Sequence, residues 1–67
     1  MTNHLREMRE KRNMSQAELA RRSSVPQPQI SMIENGLVPN PTGETLLRLA
    51  WALHCAVEDL VRLNDGR

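Results

Sequence analysis

Aromatic residues are almost missing from this chain: Trp51 stands alone among 67 residues, with no Phe and no Tyr. A core built without rings has to come from Leu, Ile, Val, Met and Ala. The single cysteine, Cys55, excludes an internal disulfide and fits a reducing cytoplasm. Three isolated glycines cannot make a phosphate-cradling loop. No apolar run approaches the roughly 20 residues of a membrane span, and the N-terminus lacks the apolar block of a signal peptide. A domain of this length buries only about 60% of its unfolded surface. We therefore expect one small domain over residues 1–67, with no room for a separate substrate-binding unit.

Catalytic and metal-binding sets are equally thin. The two histidines, His4 and His54, lie far apart, and no Ser/His/Asp or Cys/His arrangement has supporting context. His54 and Cys55 are neighbours, but a metal needs further ligands at defined spacing. Cys55 reads instead as a small buried hydrophobe and His54 as a helix C-terminal residue. No enzyme activity, metal or cofactor is expected.

What the chain does have is an uneven charge. The net charge is +1, yet residues 1–22 hold six basic side chains (Arg6, Arg9, Lys11, Arg12, Arg21, Arg22) against three acidic ones. Residues 23–67 hold three basic against five acidic. A basic N-terminal part suits a polyanion facing one side, or simply a solvated helix surface.

Hydrophobic periodicity predicts five short helices and no convincing strand. The first runs near Asn3 to Arg12, with Leu5 and Met8 on one face. The second opens at Ser15-Gln16-Ala17-Glu18, a capping box in which Ser15 accepts from the backbone of Glu18 and the Glu18 side chain reaches back. Its inner face is Ala17, Leu19 and Ala20. The third carries Ile30 and Ile33 and stops at Asn35-Gly36, where Gly36 takes a left-handed C′ position. Pro28 pushes Gln27 towards an extended conformation, so this helix is expected to start at Pro28 with Gln27 as its cap.

A loop set by Pro39 and Pro41 follows. Thr42 caps a fourth helix near Gly43 to Leu53, with Leu46, Leu49, Ala50 and Leu53 as its buried stripe. A fifth runs near Val57 to Leu63, and residues 64–67 form a polar tail.

The specific constellation is QAELARRSSVPQPQISMIEN, Gln16 to Asn35. Two helices crossing steeply over a tight turn need a small residue midway along the first, and Ala20 is there. They need a bend four residues later, at Ser24, then an apolar plug, Val25. Ile30 and Ile33 then anchor the second helix from inside. Each requirement alone is weak; together they define a helix-turn-helix over residues 16–35.

MSQAELA, Val25, ISMIENG, the PNP loop, ETLLRLAWAL and VEDLV fall in an order that resembles the Cro and phage-repressor type of helix-turn-helix proteins, the Xre family. The resemblance covers nearly the whole chain. It implies an all-α, compact five-helix, lambda-repressor-like domain. Its third helix would enter the major groove, its second would cross the backbone, and a dimer would read two half-sites.

By the same resemblance, Gln27, Pro28 and Met32 face the bases. Gln27 suits adenine N6 and N7, and Pro28 and Met32 suit thymine methyls. Gln16, Ser31 and Asn35 fall at or near phosphate positions, with Lys11 and Arg12 as further phosphate candidates beside Arg6, Arg21 and Arg22. Arg9 and Glu34 match a structural ion pair tying the first helix to the third.

The sequence departs from the family pattern at four places. Ser24 and His54 stand where glycine is usual, at a cost on the order of 1 kcal/mol for a left-handed non-glycine. Ala56 stands where a capping Ser or Thr is common, a loss of about 1 kcal/mol. The loop GLVPNP lacks the usual Lys or Arg.

Trp51 falls one turn from Leu47, beside the buried stripe. It either packs under the N-terminal helix or the tail, or joins Val57 and Val61 in a two-fold dimer contact.

These features imply a sequence-specific transcriptional regulator, a repressor or autoregulating controller acting as a homodimer on double-stranded DNA. Its expected setting is a bacterial or phage-encoded cytoplasm, with no membrane and no small-molecule effector. The alternative is a protein–protein interaction module, antitoxin-like, that keeps the fold and binds a partner protein through Pro28, Met32 and Leu37.

Overall fold

The helices that open at Gln16 and Gly43 begin where a local hydroxyl satisfies an end amide, and several helices end in turns that satisfy their last carbonyls. The computed structural model describes the backbone of residues 2–38 and 41–62 and the side chains of residues 4–38 and 41–60. Five helices lie in this range: α1 (Leu5–Lys11), α2 (Gln16–Ser23), α3 (Gln27–Glu34), α4 (Gly43–Leu53) and α5 (Val57–Leu60). The architecture is all-α. Pro39, Leu63 and the tail at 64–67 lie outside the described residues.

The N-caps follow the local signals. Ser15 accepts from the Glu18 N–H at 3.0 Å, and Thr42 accepts from Thr45 at 3.2 Å. Glu18 does not reach back to complete the box, because Arg21 and Arg22 bind its two carboxylate oxygens. Ala56 has no capping oxygen, but Asp59 substitutes for part of the lost cap by accepting from the Ala56 N–H at 3.1 Å.

Three helices close by one device. After α1, α3 and α4 a single residue turns left-handed: Asn13 (φ 56), Gly36 (φ 76) and His54 (φ 56). Its N–H and the next one then bond back to the last-turn carbonyls, as in Gly36 to Ile33 at 3.1 Å and Leu37 to Met32 at 2.9 Å. Only one of the three uses glycine, so Asn13 and His54 carry the side-chain clash that glycine avoids.

Besides the start of α1, at Leu5 rather than near Asn3, two boundaries differ from the sequence expectation. The helix α3 starts at Gln27, with Pro26 as its N-cap (φ −57, ψ 140) and Pro28 in its first turn. The Pro26 carbonyl already accepts from Ile30 at 3.1 Å, so Gln27 is inside the helix rather than its cap. At the other boundary, α5 ends at Leu60. Val61–Arg62 (β2) instead pairs antiparallel with Thr2–Asn3 (β1), in the register Thr2 with Arg62 and Asn3 with Val61. The His4 N–H donates to the Leu60 carbonyl at 2.6 Å and leads into this two-residue ladder. Such short pairing leaves no periodicity in sequence.

The core draws on every helix: Leu5, Leu19, Ile30, Ile33, Leu49, Leu53 and Leu60 are fully buried, joined by Ala50 and Ala52. Each large side chain contributes roughly 1.5–3 kcal/mol by leaving water. Val25, in the turn between α2 and α3, is 3% exposed and plugs into this cluster. The helix α2 packs on both α3 and α4, while α1 packs on α3 and α4 on α5. Ala20 is half-buried where the helices meet, whereas Ala17 is exposed and Leu46 only half-buried. Ala52, not expected in the buried stripe, is buried at 5% exposure.

Candidate nucleic-acid interface

The turn between α2 and α3 sets the angle at which α3 is presented. Ser24 holds φ 61, and its N–H closes on the Ala20 carbonyl at 2.9 Å. Ser23 is buried, with its hydroxyl accepting from the Val25 N–H at 3.2 Å. With Ile30 and Ile33 inside, the opposite side of α3 faces outward. Gln27 and Pro28 are exposed, Met32 is 45% exposed, and Ser31 is half-buried beside them. The expected base-reading residues thus share one open helix face.

The far end of α3 is held by charge. Glu34 accepts from Arg9 Nε at 2.7 Å on one oxygen. On the other it accepts from Arg9 Nη2 at 3.1 Å, Gln16 Nε2 at 3.0 Å and Arg6 Nε at 3.3 Å. The Glu34 side chain has no exposed surface, and that of Arg9 is 12% exposed. Burial pushes the Glu34 carboxyl up. The hydrogen bonds from Arg9 and Gln16, with the Arg9 charge and the Arg6 bond, outweigh it and hold the group below its ordinary value. The Arg9 guanidinium is raised by its Glu34 hydrogen bonds despite burial. Its remaining nitrogen Nη1 donates to the Met14 carbonyl at 2.7 Å.

This cluster brings Gln16 and Asn35 to the same region. Gln16 is the first residue of α2, so its own N–H and that of Ala17 have no acceptor within the helix. One hydrogen of its side-chain amide is directed to Glu34. Asn35 is the C-cap of α3 and is exposed, with its carbonyl oxygen bound by Arg6 Nη2 at 3.1 Å. Two neutral amides with donors to offer therefore flank a buried carboxylate. Donors placed this way match phosphate oxygens, which only accept.

The arginines divide. Arg12 does not offer its charge outward: Nε binds the Leu53 carbonyl and Nη1 the Met8 carbonyl at 3.1 Å. The Leu53 bond caps the C-terminal end of α4, where a cation is favoured by unpaired carbonyls. Arg21 and Arg22 are matched to Glu18, whose carboxyl is held below its usual range by hydrogen bonds from Arg22 and Arg21. Lys11 is exposed and only loosely associated with Glu7 at 3.9 Å.

The sequence reading did not identify Arg6 as a partner of Glu34 and Asn35. Its spacing from Arg9, three residues along α1, was the available signal.

The other expected residues lie elsewhere. Trp51 is 78% exposed and does not pack under the N-terminal helix. It lines a groove with Leu47, Arg48, Arg22, Ser23 and Ser24. Val57 is half-buried and packs against the core, and the side chain of Val61 lies outside the described residues. Burial raises the Cys55 thiol above its ordinary range, which suits a packing role. No metal-holding group of His, Cys, Asp or Glu occurs among the described residues. No helix there is long and apolar enough to cross a membrane.

A family model described as helix-turn-helix matches residues 5–60, which takes in all five helices. A comparison with curated proteins found no match. The matched span contains the α2–turn–α3 unit, the Val25 plug and the Arg9–Glu34 tie described above. The chain belongs to the Xre/Cro-like helix-turn-helix family of DNA-binding regulators.

Proposed function

We propose that this protein is a sequence-specific transcriptional repressor or autoregulating controller that binds a two-fold operator as a homodimer. The observation that carries the reading is the arrangement around α3. Gln27, Pro28 and Met32 are open along its outer face, and the amides of Gln16 and Asn35 flank Glu34 at its far end. With α3 in the major groove, the first set reads base edges and the second holds phosphates. Pro28 and Met32 make the reading face partly apolar, which favours thymine methyls beside a Gln27–adenine contact. Lys11 and Ser31 are further backbone contacts.

Self-association involves Trp51, as the sequence suggests, with Leu47 as its neighbour on α4; these side chains are 78% and 63% exposed. A two-fold axis through this patch would bury both copies of it. The protein then works in a bacterial or phage-encoded cytoplasm and responds to its own concentration.

Selection of bound duplexes from a random-sequence pool tests the reading. The expected result is a motif repeated with two-fold symmetry, bound more weakly as salt rises. No preferred duplex, or binding indifferent to salt, would refute it.

A second reading has one observation in its favour: Met32 and Leu37 are large, apolar and exposed, at 45% and 66%. Together with Pro28 they suit a partner protein in an antitoxin-like pair. A protein-binding surface has no need of the Gln16 and Asn35 amides around Glu34, so the DNA reading accounts for more of the site.

A further inference from the structure

We propose that Arg6 is a positioning residue for DNA: it holds the Asn35 amide by its oxygen and so directs the Asn35 N–H groups at a phosphate. The inference rests on the DNA-binding reading above and gives Arg6, a phosphate candidate by its charge, a role through Asn35 instead.

A guanidinium only donates, so the Asn35 atom facing Arg6 Nη2 at 3.1 Å is the carbonyl oxygen. That fixes the amide nitrogen on the other side. There it has only a long contact, 3.5 Å, to the Ser31 hydroxyl, and Asn35 is exposed. A phosphate oxygen accepts and cannot donate. An Asn35 held the other way round would present its oxygen and repel the phosphate. Left alone, the amide would sample both orientations.

Arg6 is itself held. Its Nε is 3.3 Å from Glu34, whose carboxylate is fixed by Arg9 and Gln16. The planar fork of arginine thus spans two adjacent residues at the end of α3, one gripped for anchorage and the other aimed. Lysine keeps the charge but has one small ammonium group, and it cannot hold both atoms in this geometry. Arg6 need not touch DNA to matter for it.

The test compares wild type, Arg6→Lys, Asn35→Ala and the double variant for binding to a mixed-sequence duplex across a salt series. Arg6→Lys and Asn35→Ala are each expected to weaken binding about tenfold, the scale of one hydrogen bond to a charged group. The double variant should bind about as the weaker single one. The salt dependence should not change, because no phosphate-neutralising charge is lost.

Wild-type affinity in either single variant, or losses that multiply in the double variant, would overturn the proposal. If wild type binds no duplex, the DNA reading itself fails, whereas normal binding by Arg6→Lys removes only the role given to Arg6. A measurement on the free protein supplies a second check. The Asn35 side chain should hold one rotamer in wild type, by nuclear magnetic resonance couplings, and average in Arg6→Lys. Equal averaging in both proteins would also overturn the proposal.

Discussion

Arg9 and Glu34 lie 25 residues apart and join α1 to α3 by two hydrogen bonds, 2.7 and 3.1 Å long, with the carboxylate wholly out of solvent. Removing one partner of such a pair leaves the other charge buried and unmatched, at a cost of about 3–5 kcal/mol. At about 0.05–0.15 kcal/mol per residue, a domain of this size has roughly 3–10 kcal/mol of stability in all. Glu34→Ala should therefore remove a large part of it and lower the thermal midpoint read by circular dichroism. A loss under about 1 kcal/mol in a denaturant titration would show that Arg9 finds another partner.

The same pair sets a pH dependence. The Glu34 carboxyl is held below its ordinary value of 4.5, so the folded state binds its proton less readily than the unfolded chain. Its contribution is complete above that ordinary value and disappears as pH falls through the lower folded one. Urea midpoints of wild type should drop on acidification in this window. Glu34→Gln should start lower and change less with pH, retaining the slope due to Glu18. Parallel curves for the two proteins would exclude Glu34 as the source.

Gln27 and Gln16 have the same side chain in different places: one on the open face of α3, the other at the start of α2 against Glu34. Gln27→Ala should lose about 1–3 kcal/mol of discrimination at particular base pairs. Gln16→Ala should weaken all duplexes by a similar factor. Binding profiles over a library of duplexes distinguish the two. Identical profiles for both variants would contradict the assigned roles.

Ser24 holds a left-handed backbone at φ 61. Ser24→Gly removes the side-chain clash and should raise stability by about 0.5–1 kcal/mol, after allowing for the greater freedom of glycine in the unfolded chain. Thermal melting should show a higher midpoint with unchanged DNA preference. A lower midpoint would mean that the Ser24 hydroxyl makes an interaction worth more than the strain.

Trp51 and Leu47 project from α4 at 78% and 63% exposure, so replacing them removes little packing within one molecule. Trp51→Gln with Leu47→Gln should leave the unfolding free energy of dilute protein within about 0.5 kcal/mol of wild type. Sedimentation should show the dimer shifted to monomer. If both proteins sediment alike, α4 is not the self-association surface.

Local chemistry was the most legible part of the sequence. Ser15, Thr42 and Gly36 act on groups within four residues of themselves, and each serves the helix end that its type suggests. The helix-turn-helix spacing was legible for a related reason: Val25, Ile30 and Ile33 have one apolar side of a short segment to fill.

Long polar side chains were less legible, because their partners are chosen by tertiary position. Arg12 reaches a carbonyl 41 residues away, and Arg6 reaches Glu34 and Asn35 from another helix. Sequence gives an arginine its charge but not its acceptor. The α5 boundary failed for a similar reason, since the pairing of Val61–Arg62 with Thr2–Asn3 depends on where the two ends of the chain meet.

The two prolines at the start of α3 have a consequence for recognition. Pro26 is set at φ −57, and Pro28 stands in the first turn, where a missing N–H breaks no helical bond. Ring closure narrows the conformations open to this segment before any DNA arrives. The residue between them, Gln27, is therefore delivered on a stiff hinge-free mount. In the proposed contact of Gln27 with a base, less motion has to be frozen, which favours slow dissociation over adaptable fit.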